Sequence, residues 1–366
     1  MEPIQYTLRF PNAAQHYVDV TATVPTGGAK SVELMMAVWT PGSYLVREYA
    51  RHLEQFSAPG AWTKSRKNRW RVETGGEKTV TVKYRLYARE LTVRTNFVEA
   101  AFASLNGAPT FLTLVEKGVK RPHEVRLELP KGWKGSYSGM AEIGPNHFRA
   151  ADYDELVDCP ILAGSPAVHE FTVGGKKHYL VNEGEAGVWN GPESAKAVEQ
   201  IVREYERMMG GLPYEKYVFF NLIAEAGGGL EHKNSTMLIA SRWAWRNTAE
   251  PAGEGGPNRP SRIRWLDLVS HEYFHLWTVK RLRPAELGPF DYEQENHTTG
   301  LWVAEGFTSY YGPLIPRRAG FYSRDVFLKL LSNDIRELQT TPGRLEQSME
   351  RSSFDAWIKY YRPDEN

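Results

Sequence analysis

The sequence predicts an α+β chain of two domains, a β-rich one over residues 1–165 and a second over 166–366 whose helices carry the chemistry. Two observations predict it. Through the first part, apolar and polar residues alternate in short runs with turn residues between them, the period-two pattern of half-buried strands. In the second part the apolar stretches lengthen to helical spacing, and one of them contains His271-Glu272-Tyr273-Phe274-His275.

Taken in order, residues 5–10 and 17–24 alternate, 32–39 form a buried run, and 79–87 alternate almost throughout. Residues 125–129 read as a strand that Pro130 ends, because proline has no N–H to give a ladder. The turn spacing suits two packed sheets, so the first domain is expected to be β-sandwich-like and to end near Gly164-Ser165-Pro166. Beyond it, strands at 179–181 and 218–223 bracket a helix at 193–209. A loop rich in Gly, Pro and Glu covers 248–260. A helix at 262–282, a long connection, a helix at 301–312 and another at 323–338 follow.

The bulk properties exclude several classes. The 366 residues carry 45 basic and 44 acidic side chains, a net charge of +1, and the charges are spread along the chain. That gives no electrostatic case for nucleic acid or an anionic membrane. The basic run at 64–69 reads as a solvated turn. A single cysteine, Cys159, excludes an intrachain disulfide. The N-terminus passes straight into a strand pattern without a basic, then apolar, leader, and no run of about 18 apolar residues occurs. A cytoplasmic chain without a membrane span is the expectation.

The H-E-x-x-H run is where chemistry concentrates. On a helix, positions i and i+4 share a face, so the imidazoles of His271 and His275 reach one ion. Glu272, beside the first ligand, is placed to take a proton from water. Glu305, in Leu301-Trp302-Val303-Ala304-Glu305-Gly306, supplies the third protein ligand. Nitrogen and carboxylate donors in this number suit one Zn²⁺ per chain. The competing reading is a buried helix whose histidines bond to backbone. It is disfavoured because two histidines and a glutamate in so apolar a segment are costly unless an ion satisfies them.

Five pieces of the chain together resemble the M61 glycyl aminopeptidases, a gluzincin family related to the M1 aminopeptidases. They are Trp39-Thr-Pro-Gly-Ser-Tyr-Leu-Val-Arg-Glu-Tyr49, Asp152-Tyr-Asp-Glu-Leu-Val-Asp-Cys-Pro160, and the segments 271–284, 289–296 and 301–311. The resemblance implies a thermolysin-like catalytic domain over 166–366. It also implies that Gly228-Gly229-Leu230-Glu231-His232 matches the segment whose glutamate holds the substrate's free α-amino group. Glu231 is then the amine anchor, with Gly228 and Gly229 beside the peptide. From the residues alone, the same segment reads better as a glycine-rich turn with Glu231 in water. His232 stands where the related enzymes have asparagine. By resemblance the family continues into more helical sequence and a PDZ-like domain, so the chain is expected to be incomplete at its C-terminus. The tyrosine that stabilises the oxyanion is expected to lie beyond residue 366. Tyr310, Tyr311, Tyr360 and Tyr361 are substitutes that the sequence does not rank.

The function expected is therefore a zinc-dependent aminopeptidase that removes a small N-terminal residue, Gly or Ala by resemblance, from a peptide with a free N-terminus through a zinc-activated water. A zinc endopeptidase and a non-catalytic, zinc-bearing peptide-binding scaffold are the alternatives. His297 is read as a loop histidine, and Arg281 and Arg283 as structural groups after the metal helix.

Overall fold

The computed structural model describes residues 1–245 and 261–363; the loop expected at 248–260 lies outside them. The chain divides into two compact units, Met1–Ser165 with Phe290–Glu295, and Pro166–Pro289 with Asn296–Asn366.

The first unit is β-rich and holds three sheets rather than a simple pair. The largest has seven strands, with Ile4–Arg9 between the antiparallel Tyr17–Pro25 and the parallel His123–Glu128. Tyr17–Pro25 and Thr79–Tyr87 alternate in burial, as their period-two sequences demand. Two four-stranded sheets complete it, one built on Ser31–Met35 and Arg69–Glu73, the other on Ile161–Gly164 and Ala103–Leu105. The buried run at 32–39 is strand only as far as Met35, because Val38 gives its N–H to Tyr292 instead of a strand neighbour.

Phe290–Glu295 is held in this unit by side chains from separate motifs. Trp39 Nε1 donates to the Asp291 carbonyl at 2.7 Å, and the Tyr292 hydroxyl donates to Asp154 Oδ1 at 2.5 Å. Tyr292 is buried and meets Tyr153 edge to face, with ring centres 5.1 Å apart. Arg69 forks onto Glu293 through Nε at 2.7 Å and Nη2 at 2.5 Å, and Asn68 adds a bond at 3.0 Å. Three of the resembling segments thus meet in one place.

The second unit, whose elements are numbered from its start, contains a five-stranded sheet. Its strands are β1 (Ala167–Val173), β2 (Lys176–Glu183), β3 (Lys216–Ile223), β4 (Gly228–Glu231) and β5 (Ser235–Ala240). The order is β1-β2-β3-β5-β4, with β2, β3 and β5 parallel and β1 and β4 antiparallel at the two edges. The central strand β3 is buried along nearly its whole length, as a strand covered on both faces must be. Helix α1 (Gly191–Met209) begins at Asn190, whose side chain accepts the Glu193 N–H, and ends at Gly210 with φ +77°. These are the expected cap residues, since asparagine satisfies an orphan N–H and glycine adopts the left-handed turn without penalty.

Helix α2 (Ser261–Phe274) carries the H-E-x-x-H run up to Phe274, with His275 just past its end, and is buried along most of its length. It is shorter than the sequence predicts. After Phe274 the ladder loosens, with Lys280 N bonding His275 O and Leu282 N bonding Trp277 O, both five residues apart. Two side chains claim carbonyls of this turn: His275 Nδ1 lies 2.7 Å from Thr278 O, and Arg281 Nη1 donates to Leu276 O at 2.8 Å. Helix α3 (Leu301–Arg318) is longer than expected and passes through Pro313 and Pro316. Proline removes a ladder bond and normally breaks a helix. Here packing prevails: Ile315 and Pro316 are buried, and the Tyr322 hydroxyl donates to both the Pro313 carbonyl and Asp267 of α2. Helix α4 (Arg324–Thr340) starts where Ser323 caps the Val326 N–H.

The Glu293 carboxylate generates a test. Burial favours its neutral form, but the Arg69 fork and Asn68 outweigh burial and hold its pKa below the ordinary carboxylate value. A depressed pKa in the folded state stabilises above the unfolded value of about 4.3 and loses that contribution as pH falls through the folded one. Arg69→Met should therefore cost about 1–3 kcal/mol at pH 7, with the gap from the parent narrowing below about pH 4. Urea unfolding of both proteins across that range checks it, and a pH-independent gap would refute the assignment.

Candidate active site

Five polar side chains converge in the second unit. His271 and Glu272 come from the last turn of α2 and His275 from the residue that follows it, and the opposite face of the helix is fixed in an aromatic core. There Tyr273 packs edge-on against Tyr217 and Trp277, and the Tyr205 hydroxyl of α1 donates to the Ser270 carbonyl at 2.9 Å. With that face locked, the helix cannot rotate its polar groups away. Glu305 comes from the second turn of α3. The two helices come close where Gly312 faces α2, since a Cβ on it would stand 3.3 Å from His271 Cβ.

The three predicted ligands are brought together. His271 Nε2 and His275 Nε2 are 3.2 Å apart, and Glu305 Oε2 lies 3.8 Å from the first and 3.5 Å from the second. Donor atoms on a tetrahedral zinc shell, with metal–nitrogen bonds of roughly 2.0–2.1 Å, are separated by about 3.3 Å. The donor set therefore fits one such ion. The tautomer fits too. With Nδ1–H given to the Thr278 carbonyl, His275 turns its Nε2 lone pair toward the other two donors. Thr308 Oγ1 lies 3.3 Å from the same Nδ1 and donates to the Ala304 carbonyl, which ties α3 to the ligand's outer edge.

The electrostatics are those of a carboxylate-rich pocket. Burial, reinforced by His275, lowers His271 to about 4 against the pull of Glu305. Its side chain keeps 28% of its surface accessible, so it forms a wall of the pocket rather than part of a sealed core. For His275 burial also opposes charge, but Glu231, Glu305 and Glu272 overcome it and raise the ring to about 10. Glu305 is raised by burial and, more strongly, lowered by the two histidines, and its net shift is downward. Positive charge is what this cluster attracts.

Glu231 and Glu272 form a second group with His275, their donor atoms within 4.8 Å of one another and all three residues buried. Glu231 does not face water as a plain turn residue would; it ends β4 and is 4% exposed. Side chains alternate along a strand, so Gly229 and Glu231 address the same face. A Cβ on Gly229 would fall 2.0 Å from Glu272 Oε1 and 2.4 Å from its Cδ. Glycine at 229 is thus what lets Glu272 lie across the edge strand. Gly228, at φ +140°, lines a cavity of about 760 Å³ that reaches His271 and Glu272.

One group escaped the sequence reading. Lys280 is buried beside Glu231, with Nζ 4.0 Å from Oε1, and nothing in the pattern V-K-R announces it because its position depends on the loosened turn after α2. The remaining candidates fall elsewhere. His297 Nδ1 bonds the Phe354 carbonyl, and its ring stacks on Phe354. Arg281 closes the end of the α2 turn and also donates to the carbonyls of Lys233 and Pro213. Tyr311 packs on Phe274, and Tyr310 on Tyr311 and Phe327. Among the described residues, no helix is long and apolar enough to cross a membrane.

Comparison with known proteins gives a consistent picture. The family model of the peptidase M61 N-terminal domain matches residues 5–165, and that of the M61 glycyl aminopeptidase matches residues 264–366. Among solved structures, the chain is similar to an aminopeptidase N family protein from Idiomarina loihiensis, at 30% identity and a TM-score of 0.92. The match covers 99% of this chain and 62% of that one, so the chain spans less than two thirds of that relative. No curated protein matches the chain.

The close approach at β4 is open to a direct test. Gly229→Ala should displace Glu272 while leaving the three ligand donors in place. Uptake of added zinc, by absorption spectroscopy, should be unchanged, and any hydrolysis that draws on Glu272 as a base should fall by about 100-fold. Undiminished hydrolysis would show that Glu272 has no need of that contact.

Proposed function

This chain belongs to the M61 peptidase family, and we propose that it is a zinc-dependent aminopeptidase that removes a small N-terminal residue, glycine or alanine, from peptides. His271, His275 and Glu305 would hold the ion in a thermolysin-like arrangement of metal helix, ligand helix and edge strand. When bound, zinc supplies Lewis-acid polarisation of a carbonyl and acidifies water at neutral pH.

The protein's own groups do the rest. Glu272, buried and backed by Gly229, accepts a proton from the attacking water and returns it to the leaving amine. The β4 edge offers backbone groups on which an extended peptide pairs. Glu231 receives the substrate's α-ammonium and sets the first peptide bond opposite Glu272, which turns recognition of a terminus into positioning of a bond.

The observation that carries this reading is the state of Glu231. It is a buried carboxylate in the same cluster as His275 and Glu272, and its Oε1 accepts no hydrogen bond among the described residues. Lys280 lies at 4.0 Å, too far for a hydrogen bond. Buried polar atoms are normally satisfied, and an α-ammonium donates the missing bonds with the right charge.

The zinc-loaded chain, offered a glycyl-alanyl peptide and its N-acetylated twin, should cleave only the free-amine peptide. Equal cleavage would make it an endopeptidase, and zinc binding without cleavage of either would leave a binding scaffold. Glu231→Gln should raise KM for the free peptide by about 10–100-fold, the range of a lost charge-assisted bond, and lower kcat as the bond loses its register. Glu272→Gln should keep the metal and lower kcat by at least about 100-fold.

A further inference from the structure

The second imidazole of the H-E-x-x-H run stands where helix geometry gives out. His275 follows the last residue of α2, and its N–H reaches the His271 carbonyl only at 3.4 Å. Beyond it the ladder is irregular: Trp277 N bonds Phe274 O, three residues back, and Lys280 N bonds His275 O, five residues back. The i, i+4 rule that aims two histidines at one point holds only inside a regular helix. The register of this segment therefore has to be set from outside the helix.

The loop between α1 and β3 reaches that segment at two points that flank His275. The Tyr214 hydroxyl is hydrogen-bonded to the hydroxyl of Tyr273, just before it in sequence. The carbonyl of the adjacent Pro213 accepts from Arg281 Nη2 at 2.7 Å, and Arg281 holds the Leu276 carbonyl with its other nitrogen. Tyr214 is itself fixed by His178 of β2, whose Nε2 lies 2.8 Å from its hydroxyl. The His178 ring is buried and stacked on Phe171, with ring centres 5.0 Å apart. Burial lowers its pKa to about 4, so at pH 7 it is neutral and one nitrogen accepts. One order then satisfies both hydroxyls: Tyr273 donates to Tyr214, and Tyr214 donates to His178 Nε2. Both tyrosines are buried, where an unpaired hydroxyl is costly.

We propose that Tyr214, backed by His178, is a positioning residue for metal binding, which holds the His275 segment in register through Tyr273 while the neighbouring Pro213 carbonyl holds Arg281. It rests on His275 being a metal ligand. The surrounding rings do not suffice for this task. Tyr273 meets Tyr217 and Phe219 with ring centres 4.9 and 5.4 Å away. Such apolar contacts are non-directional and tolerate a small slide or rotation of the helix. A hydrogen bond weakens steeply once it is misaligned. Phenylalanine at 214 would fill nearly the same space, so what the hydroxyl adds is direction rather than volume. Three polar groups in an aromatic core restrict the segment to the placement that pairs them all.

The full chain carrying Tyr214→Phe, which removes the hydroxyl and keeps the ring, provides the test. Its zinc affinity, by competition with a chromophoric chelator, should fall by about tenfold, the lower end of the range for groups that orient a metal ligand. The visible absorption bands of the cobalt-loaded protein should shift as well. Tyr273→Phe should behave alike, and the double variant should bind no more weakly than the weaker single one, because both remove the same bond. Val198→Ala, a truncation on α1 in the same core, should lower the urea midpoint and leave zinc affinity unchanged, since lost stability alone does not alter the folded site. If Tyr214→Phe fails to fold, two substitutions behind it decide. His178→Gln, which keeps an acceptor, should hold zinc affinity within about threefold, and His178→Leu should lose about tenfold. Unchanged affinity and an unchanged cobalt spectrum in Tyr214→Phe, or an equal loss in Val198→Ala, would overturn the proposal. Undiminished zinc binding by His275→Ala would remove the ligand reading, and the proposal with it.

Discussion

Burying carboxylates beside one another is unfavourable unless positive charge arrives, and the second unit is arranged around that constraint. Glu231 and Glu272 are almost wholly buried near His275, and Glu305 adds a third acidic group. Desolvated charges of one sign repel and lose hydration together, so such a cluster persists only where cations complete it. The protein itself contributes Lys280 at Glu231. In the reading proposed above, a metal ion among the three donors and a substrate ammonium at Glu231 would meet the remaining demand, and one electrostatic deficit would account for both.

Holding that cluster requires backbone to come closer than side chains allow. Gly229 lets the β4 edge lie against Glu272, and Gly312 lets α3 lie against His271. The aromatic packing of Tyr205, Tyr217, Tyr273 and Trp277 fixes the other side of α2, so the reactive face is set by the rigidity of its back. Catalytic geometry of this kind depends on groups that touch no substrate. Thr278 and Thr308, which orient His275 from its outer nitrogen, belong with them.

In the first unit the same economy appears without chemistry. Segments far apart in sequence, around Trp39, Arg69, Tyr153 and Phe290–Glu295, are joined by a short list of directional bonds. Residues there that look like a functional signature hold the fold. Tyr292 is buried with its hydroxyl on Asp154, and Glu293 is held charged by Arg69.

The sequence by itself determined the β-rich first part, the mixed second part and the grouping of His271, His275 and Glu305. Period-two alternation and the i, i+4 spacing of His271 and His275 are local rules, and local rules can be read from one chain. Family membership was legible because the matching motifs are spread across the chain. What only the tertiary structure decided are relations between distant residues. It extended α3 through two prolines, since packing repaid a lost ladder bond. It ended α2 at Phe274, since Arg281 and His275 took carbonyls of the turn that follows. It put Glu231 in the cluster and not in water, set Lys280 beside it, and opened a cavity bordered by His271 and Glu272. None of these is written in spacing, because each depends on which faces meet after the chain has folded.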